Sequence, residues 1–185
     1  MFKTTMLLAI PFFLSSFCFS QTPSKVDYDA FEKLVKEVKD HRAERLVSVE
    51  KFNEMSKRNN VVILDTRSKA MYEAKHVKGA IHLNFSDFTQ EGLELLFPSK
   101  DVTILIYCNN NFENDLMYFP TKAYVPLSLE NKNELGITMA LNIPTYINLY
   151  GYGYKNVYEL SELISIFDQR IELEGTAVTE LRFGL

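Results

Sequence analysis

Between positions 28 and 44, apolar side chains fall at Phe31, Leu34, Val35 and Val38, with charged residues on the opposite side. That is the spacing of a helix with one buried stripe. Residues 45–49 read as a short strand. Ser48 then serves as the N-cap of a second short helix to Met55, which Asn59-Asn60 ends. The pattern changes at Val61-Val62-Ile63-Leu64, closed by Asp65, and again at Val102-Thr103-Ile104-Leu105-Ile106-Tyr107, closed by Cys108. Largely apolar, β-branched runs without alternation suit central strands buried on both faces. Between them the spacing predicts a helix over 68–75, a short strand over 79–83, and two helical pieces over 85–97 stopped by Pro98. Residues 109–136 are irregular, with a hairpin pairing 122–129 with 137–141 as the best assignment. Asn142 caps a further helix with Pro144 in its first turn, where proline is tolerated, ending near Gly151 or Gly153. A strand over 156–159 and a helix from Ser161 to 167 complete the pattern, and 172–185 carries no assignment.

Strands alternating with helices predict an α/β fold, a central parallel sheet flanked by helices on both faces. Such sheets bind ligands at the carboxyl ends of their strands, and Cys108 lies at one of those ends.

Composition narrows the class. The 185 residues carry a formal net charge of -4, with 46% hydrophobic and 24% charged residues, which suits one globular domain with a sizeable core. Mild acidity without a Lys/Arg cluster argues against a nucleic-acid partner. The N-terminus reads as a secretory signal over residues 1–20. Lys3 supplies the positive region, an apolar run follows from Met6 to Leu14, and Cys18-Phe19-Ser20 gives small residues for cleavage before Gln21. The run is shorter than the roughly 20 residues that span a bilayer. An uncleaved anchor is the alternative, and a lipid-modified Cys18 fits less well because Phe17 precedes it. The expected organisation is a signal at 1–20, a leader and helix at 21–44, a main domain at 45–168 and a tail at 169–185. The location would be periplasmic or secreted, with no membrane contact after signal removal. Cleavage leaves Cys108 as the one cysteine, so it forms no internal disulfide and is either buried and inert or free because it reacts. His41, His76 and His82 are scattered, without ligand spacing, so no metal and no cofactor are expected.

Leu64-Asp65-Thr66-Arg67, Tyr72, then His76-Val77-Lys78-Gly79-Ala80-Ile81, then a buried strand ending in Cys108, resemble the rhodanese homology domain. Gly151-Tyr152-Gly153-Tyr154-Lys155-Asn156-Val157 resembles a later stretch of that family, and the likeness covers about residues 45–168. It implies a sulfurtransferase in which Cys108 carries a persulfide. The loop after it, Asn109, Asn110, Asn111, Phe112, Glu113 and Asn114, would cradle the sulfur with backbone amides. Asp65, Arg67, His76 and Gly79 would hold the scaffold: Asp65 accepting from amides or Arg67, His76 donating to Asp65 or a carbonyl, and Gly79 allowing the chain to double back.

The loop departs from the family pattern. It has no Arg, Lys or Gly, and Glu113 and Asp115 should repel an anionic donor and raise the thiol pKa. Three asparagines could replace glycine in left-handed conformations and donate side-chain amides to an anion. An insertion over about 113–140 separates Cys108 from the Asn142 helix, and its Lys122 could supply the missing cation. A related phosphatase would need Arg where Asn114 stands. Two readings remain open: a sulfurtransferase taking a small sulfur-donor anion and passing sulfur to a thiol acceptor, and an inactive rhodanese-like module that binds a protein partner or ligand.

Overall fold

A computed structural model describes residues 24–122 and 140–178. Helix α1 (Tyr28–Ala43) starts on Asp27, whose side chain accepts from the Ala30 amide, and buries Val38. Strand β1 (Leu46–Val47) and helix α2 (Val49–Ser56) follow, with Ser48 capping α2 as its sequence predicts. Next come β2 (Val61–Asp65), α3 (Lys69–Ala74), β3 (His76–Val77), β4 (Ile81–His82), α4 (Gln90–Leu96) and β5 (Thr103–Tyr107). A 3-10 turn over Asn109–Asn111 leads to β6 (Phe112–Glu113). Helix α5 (Asn142–Gly151) precedes β7 (Val157–Leu160), β8 (Ile164–Ser165) and β9 (Leu173–Glu174).

Five strands form one parallel sheet in the order β1-β7-β5-β2-β4, the expected α/β architecture. The two long apolar runs lie side by side at its centre, Val61 opposite Thr103 through Asp65 opposite Tyr107. Helices cover both faces. On one side Leu64, Ile104 and Ile106 pack with Leu93, Tyr146, Leu149 and Tyr154; on the other Ile63, Leu105 and Tyr107 pack with Val49, Phe52 and Phe112. Tyr146 and Tyr150 of α5 and Tyr154 beyond it are thus core residues. Among the described residues no helix is long and apolar enough to cross a membrane.

Several local expectations need correction. No helix covers 161–167; Ile164–Ser165 instead pairs in parallel with Phe112–Glu113, because Ile164 is drawn into the cluster around Phe112. Residues 173–174, left without an assignment, form β9, which pairs antiparallel to β3, His76 opposite Glu174. Asn142 does not cap α5; it is the first residue of the helix, and Leu141 precedes it without a side-chain cap. The hairpin assigned to 122–129 and 137–141 falls mostly outside the described residues, as does the signal at 1–20.

Candidate active site

The scaffold around the cysteine starts at the carboxyl end of β2. Asp65 and Arg67 are almost completely buried, and the guanidinium meets the carboxylate through Nε at 3.1 Å to both oxygens and Nη2 at 2.7 Å. The Arg67 backbone amide also donates to Asp65, at 2.9 Å. Arg67 reaches further, from Nη1 to the Tyr118 carbonyl at 2.9 Å and from Nη2 to the Lys75 carbonyl at 2.6 Å. One side chain therefore joins β2, the end of α3 and the chain beyond the cysteine loop. The remaining donor to Asp65 is Tyr107, whose hydroxyl lies 2.5 Å from Oδ2 and itself accepts from the Val77 amide. Burial and the neighbouring Asp65 charge hold the Tyr107 hydroxyl protonated.

His76 takes the second of its two expected roles. Its Nδ1 lies 2.6 Å from the Tyr72 carbonyl, not at Asp65, and its ring stacks on Tyr72 at 3.9 Å between centroids. Gly79 has φ +80, a left-handed conformation, and its amide donates to Glu174. Asp65, Arg67, His76 and Gly79 are thus scaffold contacts, none bonded to the sulfur.

Cys108 follows β5 directly and is 1% exposed. Its sulfur caps the 3-10 turn, accepting from the Asn110 amide at 3.4 Å. Asn111 turns inward. Its Oδ1 accepts from the Cys108 amide at 2.9 Å, and its Nδ2 donates to the carbonyls of Leu160 and Glu162. Its side chain is therefore committed to the fold and is not free to donate to an anion. Asn110 Oδ1 accepts from the Lys122 amide at 2.8 Å. Asn109 is buried, with its Oδ1 unpartnered. The three asparagines form right-handed 3-10 structure, and the left-handed conformation falls instead at Asn114, with φ 70. Phe112 points into the core against Phe119, so its side chain is packing rather than cradle. Lys122 is exposed and approaches the loop through its backbone.

The start of α5 meets the loop where Asn142 Nδ2 donates to Asn111 Oδ1. Although about thirty residues separate it from Cys108 in sequence, the backbone amides of Leu141 and Asn142 act on the sulfur, pulling its pKa down as the Asn110 amide does. Burial is the strongest influence and pushes the thiol up, Glu159 adds to this, and the net result is a raised pKa. The expected acidic loop effect is thus misassigned. Asp115 is paired with the buried Lys75 at 2.7 Å, and Glu113 is exposed; the carboxylate that acts on Cys108 is Glu159.

Glu159 is buried on β7 and bound by Arg42 of α1 through Nε and Nη2, both at 2.6 Å. It also accepts from Asn142 Nδ2 at 3.2 Å, and the same nitrogen donates to Asn111 Oδ1 at 3.0 Å. A hydrogen-bonded chain thus runs from Arg42 through Glu159, Asn142 and Asn111 to the amide of Cys108. Arg42, Glu159, Asn142 and Asn111 line a cavity of about 220 Å³. Sequence reading missed Arg42 and Glu159 because they lie 117 positions apart. The available signal was a carboxylate within a strand otherwise reading as buried. Among the described residues no group of three or more His, Cys, Asp or Glu is placed to hold a metal ion.

A family model described as Rhodanese-like domain matches residues 48–162. No curated protein matches the chain. Among solved structures, the BH2092 protein from Bacillus halodurans is 15% identical, with a TM-score of 0.45, covering 80% of this chain and 86% of its own. A rhodanese with anions from E. coli is 18% identical, with a TM-score of 0.37, covering 63% of this chain and 99% of its own. The Alr3790 protein from Anabaena sp. is 15% identical, with a TM-score of 0.39, covering 75% of this chain and 100% of its own.

Proposed function

Because the chain belongs to the rhodanese-like domain family, we propose that it is an exported sulfurtransferase that carries a persulfide on Cys108. The observation that carries this reading is the place and capping of one sulfur: Cys108 ends the central strand β5, and the Asn110 amide of the following 3-10 turn donates to it at 3.4 Å. Oriented N–H groups at a helix start favour negative charge, whether on a thiolate or on the terminal sulfur of a persulfide. In the first half-reaction the Cys108 thiolate attacks the sulfane sulfur of a donor. A new S–S bond forms on Cys108, the donor's S–S bond breaks, and the leaving group departs with the electron pair. In the second half-reaction a thiol acceptor removes the outer sulfur and the Cys108 thiolate is regenerated.

The apolar run at 6–14 and the small residues before Gln21 support export through a signal at residues 1–20. Incubating the purified protein with a sulfur donor and weighing it intact tests the activity. An added sulfur atom, absent from Cys108→Ala, is expected, and no adduct from either thiosulfate or an organic persulfide refutes it.

A second reading is an inactive rhodanese-like module that binds a protein or small ligand. The near-complete burial of Cys108 and its raised pKa favour it, since both reduce the thiolate available for attack. A Cys108→Ala protein that keeps its full biological effect supports this reading over catalysis.

A further inference from the structure

The cavity beside the cysteine loop contains a guanidinium, yet that guanidinium already holds a carboxylate. Arg42 reaches it from α1, which lies outside the family-matched segment 48–162. Its Nε and Nη2 both engage Glu159 at 2.6 Å, the two-pronged geometry with which arginine binds any carboxylate, phosphate or sulfonate. Asn142 Nδ2, the neighbouring donor, is committed to Glu159 and Asn111, while Asn142 Oδ1 is buried there without a partner. Two donors of the cavity lining, the Arg42 guanidinium and Asn142 Nδ2, are therefore already engaged. The loop itself, from Cys108 to Asp115, contains no cation.

We propose that Arg42 and Glu159 form a self-occupied anion site. Glu159 is the resident carboxylate, and it makes the protein select organic hydropersulfides, neutral or singly charged, over the thiosulfate dianion. This rests on the sulfurtransferase reading for its substrate class, although the binding half stands on the cavity alone. With a hydropersulfide R–S–SH, the Cys108 thiolate attacks the terminal sulfur. The S–S bond of the donor breaks, RS⁻ leaves with the electron pair, and the proton stays on the new Cys108 persulfide. With thiosulfate, the same attack would expel sulfite, a dianion, near a carboxylate whose Arg42 partner is already engaged. Glu159 is in this sense a specificity-determining residue.

The test uses Glu159→Gln, which keeps the side chain's shape and removes its charge, leaving Arg42 uncompensated. Calorimetric titration with sodium thiosulfate reads binding without requiring turnover. Intact-mass loading with thiosulfate and with the hydropersulfide of 2-mercaptoethanol reads transfer. Wild type is expected to bind thiosulfate more weakly than about 10 mM, and E159Q roughly tenfold or more tightly than wild type, the effect of gaining one charge-assisted contact. The ratio of thiosulfate to hydropersulfide loading should rise by a similar factor. A general rise in thiolate would increase both loadings together and leave the ratio unchanged. The double variant Arg42→Gln/Glu159→Gln should return binding to the wild-type level.

Thiosulfate binding to wild type tighter than about 10 mM overturns the proposal even if the variants fail to fold. So does a gain that persists without Arg42. If no form of the protein takes sulfur from either donor, the sulfurtransferase reading falls while the calorimetry still decides the role of Glu159.

Discussion

Replacing Arg67 with methionine removes the one side chain that joins β2, α3 and the segment beyond the cysteine loop. The guanidinium is 1% exposed and Asp65 0%, so water cannot replace the lost contacts. Asp65 would keep the Tyr107 hydroxyl and the Arg67 backbone amide but lose its cation. The Tyr118 and Lys75 carbonyls would each lose a donor. Breaking a buried ion pair by deleting one partner costs about 3–5 kcal/mol, chiefly because the other charge is left uncompensated. For a chain of this size each kcal/mol lowers the melting temperature by about 2–4 °C, so a fall of roughly 10 °C is expected. Urea unfolding followed by circular dichroism gives the free energy, and a thermal scan checks it. Removing both charges with Asp65→Leu/Arg67→Met should recover part of the loss, since no lone charge then remains buried. A loss below about 1 kcal/mol for Arg67→Met, or a double variant as unstable as the sum of the singles, would refute the role assigned to this pair.

Asn111→Ala removes the acceptor for the Cys108 amide and the donor to two β7–β8 carbonyls, and should cost about 2–4 kcal/mol in urea unfolding. The same variant should change the rate of Cys108 alkylation, because it frees the turn that aims the Asn110 amide at the sulfur. Burial raises the Cys108 thiol, so the midpoint of its alkylation by iodoacetamide should lie above the ordinary value of about 8.5. A group whose folded pKa is raised stabilises the fold fully below its unfolded value and loses that contribution as pH rises through the folded one. Wild type should therefore lose stability in the alkaline range relative to Cys108→Ala; an alkylation midpoint below 8 contradicts this. Gly79→Ala has room for its Cβ but forces φ +80 on an alanine, and should cost about 1–2 kcal/mol in thermal unfolding.

The central strands were legible because Val61–Asp65 and Thr103–Tyr107 are apolar on both faces, which only a covered parallel sheet accommodates. The position of Cys108 followed from the second of these runs. The sulfur's surroundings were less legible. Whether an asparagine faces in or out is decided by distant partners, here the Leu160 and Glu162 carbonyls that take Asn111. Local charge was misleading for the same reason. Asp115, next to the loop in sequence, is neutralised by Lys75, whereas Glu159 acts on the thiol from another strand. The strand at Ile164–Ser165 escaped detection because two residues carry no period, and its pairing with Phe112–Glu113 is tertiary.

The claim that Cys108 is a sulfur carrier is tested most directly by intact-mass analysis of the purified protein after brief exposure to an organic hydropersulfide. The account predicts one added sulfur atom on wild type, released by a thiol and absent from Cys108→Ala. An unchanged mass under conditions where Cys108 is still alkylated by iodoacetamide would contradict it.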